Sequence, residues 1–202
     1  MKFPVLASFM IFIIWLTYKL ARSNHVDAAA WQTFWDKEHR ANNTRRKPLD
    51  NLPYIKIKYE DLFMHLLPGD ERADEYKEIF RTLSESQIVN FTGITNTDLK
   101  LQYGAPNIDL LSRYDQNFTL LVRTLNQWAS YLYEKGYTNE ARQILELAVS
   151  IRTDVSGTYR LLCKIYKEEN TPEKIKELYP TAESLNSIMK NTIVRILQEA
   201  ES

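Results

Sequence analysis

Hydrophobic residues recur at three- and four-residue spacing over much of the chain, which predicts amphipathic helices. The longest pattern begins at Pro106 and stops at Gly136, and a shorter one covers Asp74 to Leu83. A last apolar stripe contains Leu185, Ile188, Met189, Ile193, Ile196 and Leu197. We expect this last helix to cover the open side of the preceding helices and to present a polar face to water. The sequence therefore predicts an all-α body with a C-terminal capping helix.

Two stretches of this body superpose when one is shifted by 34 residues. They carry small and bulky side chains at the same offsets: Leu125, Trp128, Ala129, Leu132, Gly136, Ala141, Leu145 and Ala148 in the first, and Tyr159, Leu162, Cys163, Tyr166, Asn170, Ile175, Tyr179 and Ala182 in the second. Small residues allow two antiparallel helices to approach closely, and large ones fill the space between neighbouring hairpins. We therefore predict two stacked helical hairpins, with Pro180 interrupting the second helix of the second hairpin.

This register resembles the tetratricopeptide repeat, a helical hairpin of about 34 residues. The closest stretch runs from Gly136 to Asp154, and the resemblance covers about a third of the chain. The chain departs from the family pattern with Ala129 in place of Gly, Leu132 in place of Tyr and Thr153 in place of Pro. An ordinary helical hairpin with the same packing needs is the alternative. If the resemblance holds, it implies a helical-repeat fold that binds other proteins.

The resemblance also implies a ligand face on the first helix of each hairpin. Its outward positions are occupied here by Arg123, Asn126, Ser130, Tyr133, Arg160, Lys164 and Lys167. The three cations of the second hairpin share one helix face, which favours an extended acidic segment as the partner. The alternative is an ordinary solvated face, balanced by Glu168, Glu169 and Glu173. The carboxylate-capturing form of the family has Lys and Asn where this chain has Asn126 and Ser130, so capture of a chain terminus does not follow.

The N-terminal stretch Phe3 to Tyr18 is uncharged and is followed by Lys19 and Arg22. Its 16 residues reach roughly 24 Å, slightly less than a hydrocarbon core of about 30 Å, so flanking residues would have to complete the span. The sequence predicts an uncleaved transmembrane anchor over residues 1–22, with a cleaved secretory leader as the alternative. The slight excess of basic residues after the stretch favours a single-pass membrane protein with a cytoplasmic body; an extracytoplasmic body is the alternative.

The remaining segments complete the predicted domain organisation. Residues 23–50 read as a juxtamembrane helix and linker, in which Trp31, Phe34 and Trp35 share one face. These aromatic residues fit either a membrane surface or the body. Residues 51–105 read as an extended segment, a short helix and a long loop over 84–105, and residues 106–202 as the helical domain.

Composition excludes several classes of function. The 26 basic and 26 acidic side chains give a formal net charge of zero, which argues against nucleic acid as a partner. The single cysteine allows no internal disulfide, and the three histidines have no metal-ligand spacing. No glycine-rich loop precedes a helix. We therefore expect no cofactor, no metal and no catalysis.

Together these patterns predict a non-catalytic, membrane-anchored scaffold or adaptor that binds a protein or peptide partner in a helical groove. One alternative is an extracytoplasmic receptor, with a small ligand held between the 84–105 loop and the long helix. Another is an accessory subunit of a membrane complex that docks through Trp31, Phe34 and Trp35. The sequence identifies no partner and sets no oligomeric state.

Overall fold

The computed structural model describes residues 3–201, with side chains for all of these except residues 3–7, 20–29 and 59. The described chain is all-helical and contains no β-strand. It forms two compact units. The first contains Met1–Pro48 and Thr95–Ile108, and the second contains Leu49–Ile94 and Asp109–Ser202.

The first unit is built from α1 (Phe3–Asn42) and α3 (Asn96–Tyr103). Lys100 Nζ lies 2.6 Å from Glu38 Oε1 and donates to Asn42 Oδ1 at 2.8 Å. The hydrogen bond from Lys100, and then one from Thr97, lowers the pKa of Glu38. Ala41 and Leu99 are buried in this unit. Polar pairing between the two helices therefore accompanies the burial of one apolar side chain on each.

Helix α3 lies within residues 84–105, where the sequence analysis predicts a long loop. It begins at a cap, since the Thr95 hydroxyl accepts a hydrogen bond from the Asp98 backbone N–H at 3.2 Å. Ser or Thr followed three residues later by an acidic residue is a helix-start signal. The spacing of Thr95 and Asp98 carries this signal in the sequence.

The predicted transmembrane anchor over residues 1–22 is wrong. Residues 1 and 2 lie outside the described residues, and the rest belong to α1. Over the described part of the chain, no helix has both the length and the apolar character that a membrane span requires. The uncharged stretch is too short, because Lys19 and Arg22 follow it within the same helix and roughly 24 Å does not cross a core of about 30 Å. The predicted single-pass membrane localisation, with a cytoplasmic or an extracytoplasmic body, is wrong for the same reason.

The second unit holds the main hydrophobic core. Its helices are α2 (Glu71–Ser84), α4 (Ile108–Glu134, from its second residue), α5 (Thr138–Ser150), α6 (Ser156–Glu168), α7 (Glu173–Lys176), α8 (Tyr179–Glu183) and α9 (Lys190–Glu201). Trp128 of α4 is completely buried, and its indole N–H donates to the Leu62 carbonyl at 2.9 Å. A buried indole N–H needs such an acceptor, so this bond fixes the 3₁₀ turn Tyr59–Leu62 against α4. The extended segment before this turn is tied to the unit by Ile55, whose N–H donates to the Ile88 carbonyl at 2.9 Å.

The positions that match at a shift of 34 residues have similar surroundings in this unit. Ala129 and Cys163 are both buried, as the close-approach prediction requires. Most of the other pairs are buried on both sides: Leu125 with Tyr159, Trp128 with Leu162, Leu132 with Tyr166, Ala141 with Ile175, and Ala148 with Ala182. The second hairpin differs where Pro180 occurs, because its second helix is divided into α7 and α8. The structure thus shows helix–helix packing in which both predicted small residues are buried.

Helices α4 and α6 also end in the same way. Gly136 and Asn170 follow their last turns with positive φ values of 88° and 56°. The same pair of closing hydrogen bonds follows at each end: Gly136 N to Tyr133 O and Tyr137 N to Leu132 O after α4, and Asn170 N to Lys167 O and Thr171 N to Tyr166 O after α6. A left-handed residue that satisfies the last carbonyls is a common helix terminus, and Gly and Asn adopt it most easily.

The C-terminal helix α9 begins later than the apolar stripe suggests. Ile193, Ile196 and Leu197 are buried within it, whereas Leu185 is buried in the loop before it. Ile188 lies in the same loop and is 97% exposed, so its predicted place in the stripe is wrong. The helix starts only at Lys190, and the helical spacing therefore does not apply to Ile188.

Asp70 caps α2 and joins it to α4. Its carboxylate accepts the Ala73 N–H at 2.9 Å and the Tyr131 hydroxyl at 2.7 Å. The bond from Tyr131, followed by the one from Ala73, lowers the pKa of Asp70. Lys135 adds a weaker ion pair at 3.6 Å. The ionised form of Asp70 is therefore the one that the fold stabilises.

We predict that Gly136→Ala lowers the free energy of unfolding by about 1 kcal/mol. No atom lies within 4 Å of an added Cβ, so the loss comes from the positive φ rather than from a clash. Asn170→Ala should lose stability at the matching position. Urea denaturation followed by circular dichroism measures both, and Gln143→Ala on an exposed turn of α5 is the control. Unchanged stability in both variants would contradict the shared terminus.

A second prediction concerns the dependence of folding stability on pH. Because the folded-state pKa of Asp70 is lowered, its contribution to stability is present above the unfolded pKa of about 3.9 and is lost as the pH falls through the folded value. Asp70→Asn should therefore destabilise the protein at pH 7, and this difference should be smaller near pH 3. Urea titrations at both pH values measure it. Asp61→Asn is the control, since the Asp61 carboxylate accepts no hydrogen bond from the residues that the structure describes.

Candidate functional site

The face predicted to bind a partner lies where α4 and α6 run side by side. The Thr158 hydroxyl of α6 donates to Asn126 Oδ1 of α4 at 3.3 Å. Farther along both helices, the Tyr133 hydroxyl donates to the Glu168 carboxylate. Residue numbers increase together across these contacts, so the helices are parallel. We call the surface formed by the seven predicted positions, together with Glu168, the α4–α6 face.

A glycine permits the close approach of the two helices. A Cβ added at Gly157 would lie 3.1 Å from Asn126 Oδ1 and 3.3 Å from Asn126 Nδ2. Such distances are tighter than ordinary van der Waals contact. Asn126 is consequently half-buried and engaged with α6 rather than free to reach a partner. Ser130 is half-buried too, and its hydroxyl donates to the Asn126 carbonyl at 2.8 Å.

The other end of the face carries a cluster of Tyr133, Lys164 and Glu168. The Tyr133 hydroxyl lies 2.8 Å from each carboxylate oxygen of Glu168. Lys164 Nζ lies 4.8 Å from the centre of the Tyr133 ring and 4.0 Å from Glu168 Oε1. The contact with Tyr133, and then the charge of Glu168, raises the pKa of Lys164. Two predicted partner-binding residues are thus already in contact with a carboxylate of the chain.

The remaining cations of the face have no such contact. Arg123, Arg160 and Lys167 are exposed, and no acidic group described by the structure lies within ion-pair distance of them. Glu169, predicted to balance this face, instead pairs with Arg142 of α5 at 3.2 Å. The positive charge of Lys164 is balanced only weakly, by Glu168 at 4.0 Å. Among the described residues, the face therefore presents a strip of three positive charges without ion-pair partners.

A concave region borders the Arg123 end of the face. It has a volume of about 410 Å³ and lies between Thr92, the α4 residues Phe118 and Val122, and the α6 start at Ser156. A neighbouring hollow of about 430 Å³ is lined by residues that include Asn90, Arg152 and Asn186. The sequence analysis places a possible ligand site between the 84–105 loop and the long helix, and among the residues that line these two hollows it predicts a binding role only for Arg123.

The polar side chains of these hollows are largely occupied by the protein itself. Asn186 Nδ2 donates to the Gly93 carbonyl at 3.0 Å, and Asn90 Oδ1 accepts the Thr92 N–H at 2.9 Å. The Ser187 hydroxyl donates to Asp154 at 2.6 Å. These polar groups therefore already have hydrogen-bond partners within the protein.

The described residues contain no metal-ligand cluster and no reactive thiol. Within them, no three His, Cys, Asp or Glu side chains come together as metal ligands. Cys163 is buried, and burial raises the pKa of its thiol to about 11, so the thiol is protonated at neutral pH. The aromatic residues Trp31, Phe34 and Trp35 of the first unit are exposed and contact one another, with 5.4 Å between the ring centres of Phe34 and Trp35.

Comparisons of this chain with protein-family models, curated proteins and solved structures find no match. The all-helical fold and its helix–helix packing stand on the structure itself. The tetratricopeptide resemblance depends on the chain's own residues and their burial.

We predict an energetic coupling between Gly157 and Asn126. Gly157→Ala gains up to about 1 kcal/mol of helix propensity but forces Asn126 to move. In an Asn126→Ala background this obstacle is absent, so Gly157→Ala should be more favourable there by about 1 kcal/mol. Urea denaturation of the four proteins measures the coupling. The exposed neighbour Gln127 provides the control background, Gln127→Ala, in which the two changes should be additive.

Proposed function

We propose that the second unit is a non-catalytic binding module, acting as a scaffold or adaptor, that holds an extended acidic segment of a protein partner on the α4–α6 face. The observation that carries the proposal is the strip of Arg123, Arg160 and Lys167, which have no acidic group within ion-pair distance among the described residues. Exposed cations attract an acidic partner and speed its association, whereas paired ones do so less.

The arrangement of the hairpins supports the same proposal. The first helices of two tetratricopeptide-like hairpins would lie parallel and adjacent, as α4 and α6 do, and would present their outward positions to one ligand. The equivalent burial of Ala129 and Cys163 and the equivalent termini at Gly136 and Asn170 favour this repeat-like interpretation over an ordinary hairpin. Asn126 and Ser130 have internal roles, so we assign recognition to the cations and to Tyr133.

A small polar ligand in the hollow beside Arg123 is a second candidate function. The cavity of about 410 Å³ between Thr92 and α4 favours it. Its size lies within the range of small-molecule sites, but such sites usually have apolar walls and several free polar groups. A binding screen in which Thr119→Trp fills this cavity from an exposed position separates the two functions, since a peptide on the α4–α6 face should remain bound and a ligand in the cavity should not.

The proposal predicts which peptides this protein selects from a random library. Displayed dodecapeptides enriched on the full chain should be acidic, and their affinity should fall about tenfold or more in Arg160→Glu plus Lys164→Glu, as measured by fluorescence polarisation. The matched control is Arg113→Glu plus Lys176→Glu, which changes the net charge equally at exposed positions outside the face. Equal binding by both double variants would remove the face from the function.

A further inference from the structure

Glu168 is the acidic residue of the α4–α6 face, and the sequence analysis treats it only as a balancing charge. Its carboxylate occupies the position where Tyr133 can donate a hydrogen bond and Lys164 can supply a positive charge. These are the two groups that a partner's carboxylate would use at this end of the face. The site is therefore filled by a carboxylate of the chain.

We propose that Glu168 is an internal competitor that sets both the affinity and the position of the acidic segment. While Glu168 is in place, a partner's carboxylate is repelled from Lys164 and is directed toward Arg123 and Arg160. This inference rests on the proposed function of the α4–α6 face, because it assumes that an acidic segment binds there.

The geometry is that of a contact that a partner can displace. Lys164 Nζ is 4.0 Å from Glu168, at the outer limit of an ion pair, and the two side chains are 59% and 46% exposed. Exposed pairs of this kind, four residues apart on one helix, are weak. The bond from Tyr133 orients the carboxylate, but it lies in an exposed position where water can replace it.

The charges around Glu168 assign it to this face. Glu169, the next residue along the chain, is 3.2 Å from Arg142 and is held toward α5. Arg142 is also bound to Glu146, so Glu169 belongs to a separate network. Glu168 contacts a cation and a hydrogen-bond donor of the face, and neutralising it therefore changes the face locally.

The experiment uses Glu168→Gln, which keeps the shape of the side chain and an oxygen that accepts from Tyr133. The probe is a fluorescein-labelled dodecapeptide of alternating Glu and Ser, compared with its Gln and Ser counterpart, and binding to the full chain is followed by fluorescence polarisation. We expect the acidic probe to bind about two- to fivefold more tightly to the variant, and less so at high salt. The neutral probe should not change.

Two further variants separate a local competitor from a general loss of negative charge. Glu75→Gln removes the same charge from an exposed position of α2, outside the face, and should leave the affinity unchanged. In a Lys164→Gln background, the gain from Glu168→Gln should disappear, because the cation that Glu168 occupies is absent. Circular dichroism confirms that each variant is folded.

The outcomes are distinct. No gain over Glu75→Gln, or a gain that persists without Lys164, rejects the competitor role of Glu168. If the acidic probe binds the unmodified chain in an Arg160-dependent way but gains nothing from Glu168→Gln, the inference is wrong and the proposed function stands. If no peptide binding depends on Arg160, the proposed function itself is wrong.

Discussion

The approach of α4 to α6 at Gly157 is the constraint on which the candidate site depends. Glycine at this position leaves room for the Asn126 side chain between the two helices, and Thr158 then bonds to it. Tyr133 follows Asn126 by about two helical turns, so it lies on the same side of α4 and meets Lys164 and Glu168 there. One close contact thus sets the register of the residues that follow on the face.

Charge is distributed unevenly around α6. Toward α5, Arg142 pairs with Glu146 and Glu169, and Tyr166 donates to Glu146 at 3.0 Å. Burial, together with this bond, raises the pKa of the Tyr166 hydroxyl. On the other side, Arg160 and Lys167 are exposed to solvent without ion-pair partners among the described residues. The chain is neutral in total, so this separation of paired and unpaired charge is a local property that net charge does not reveal.

Much of the helical core could be predicted from the sequence, because burial at positions such as Ala129 and Cys163 follows from spacing within one helix. The start of α9 could not, since the position of Ile188 depends on where the preceding loop ends. Helix α3 was detectable from the capping pair Thr95 and Asp98, which apolar periodicity does not register. The uncharged N-terminal stretch predicted a membrane span because its composition fits one, whereas its length within α1 does not.

For the candidate site, the exposed cations were predictable from the sequence. The contact of Asn126 with α6 and that of Tyr133 with Glu168 were not, because they depend on the register between helices.

The helix α9 has a consequence for the apolar surface of the second unit. Each helical pair in a stack leaves an apolar side for the next pair, and the last pair needs a cover. Here Ile193, Ile196 and Leu197 of α9 are buried where α9 packs on α6 and α8. Helix α9 thus covers an apolar surface of these helices that would otherwise be open to association with other copies of the chain.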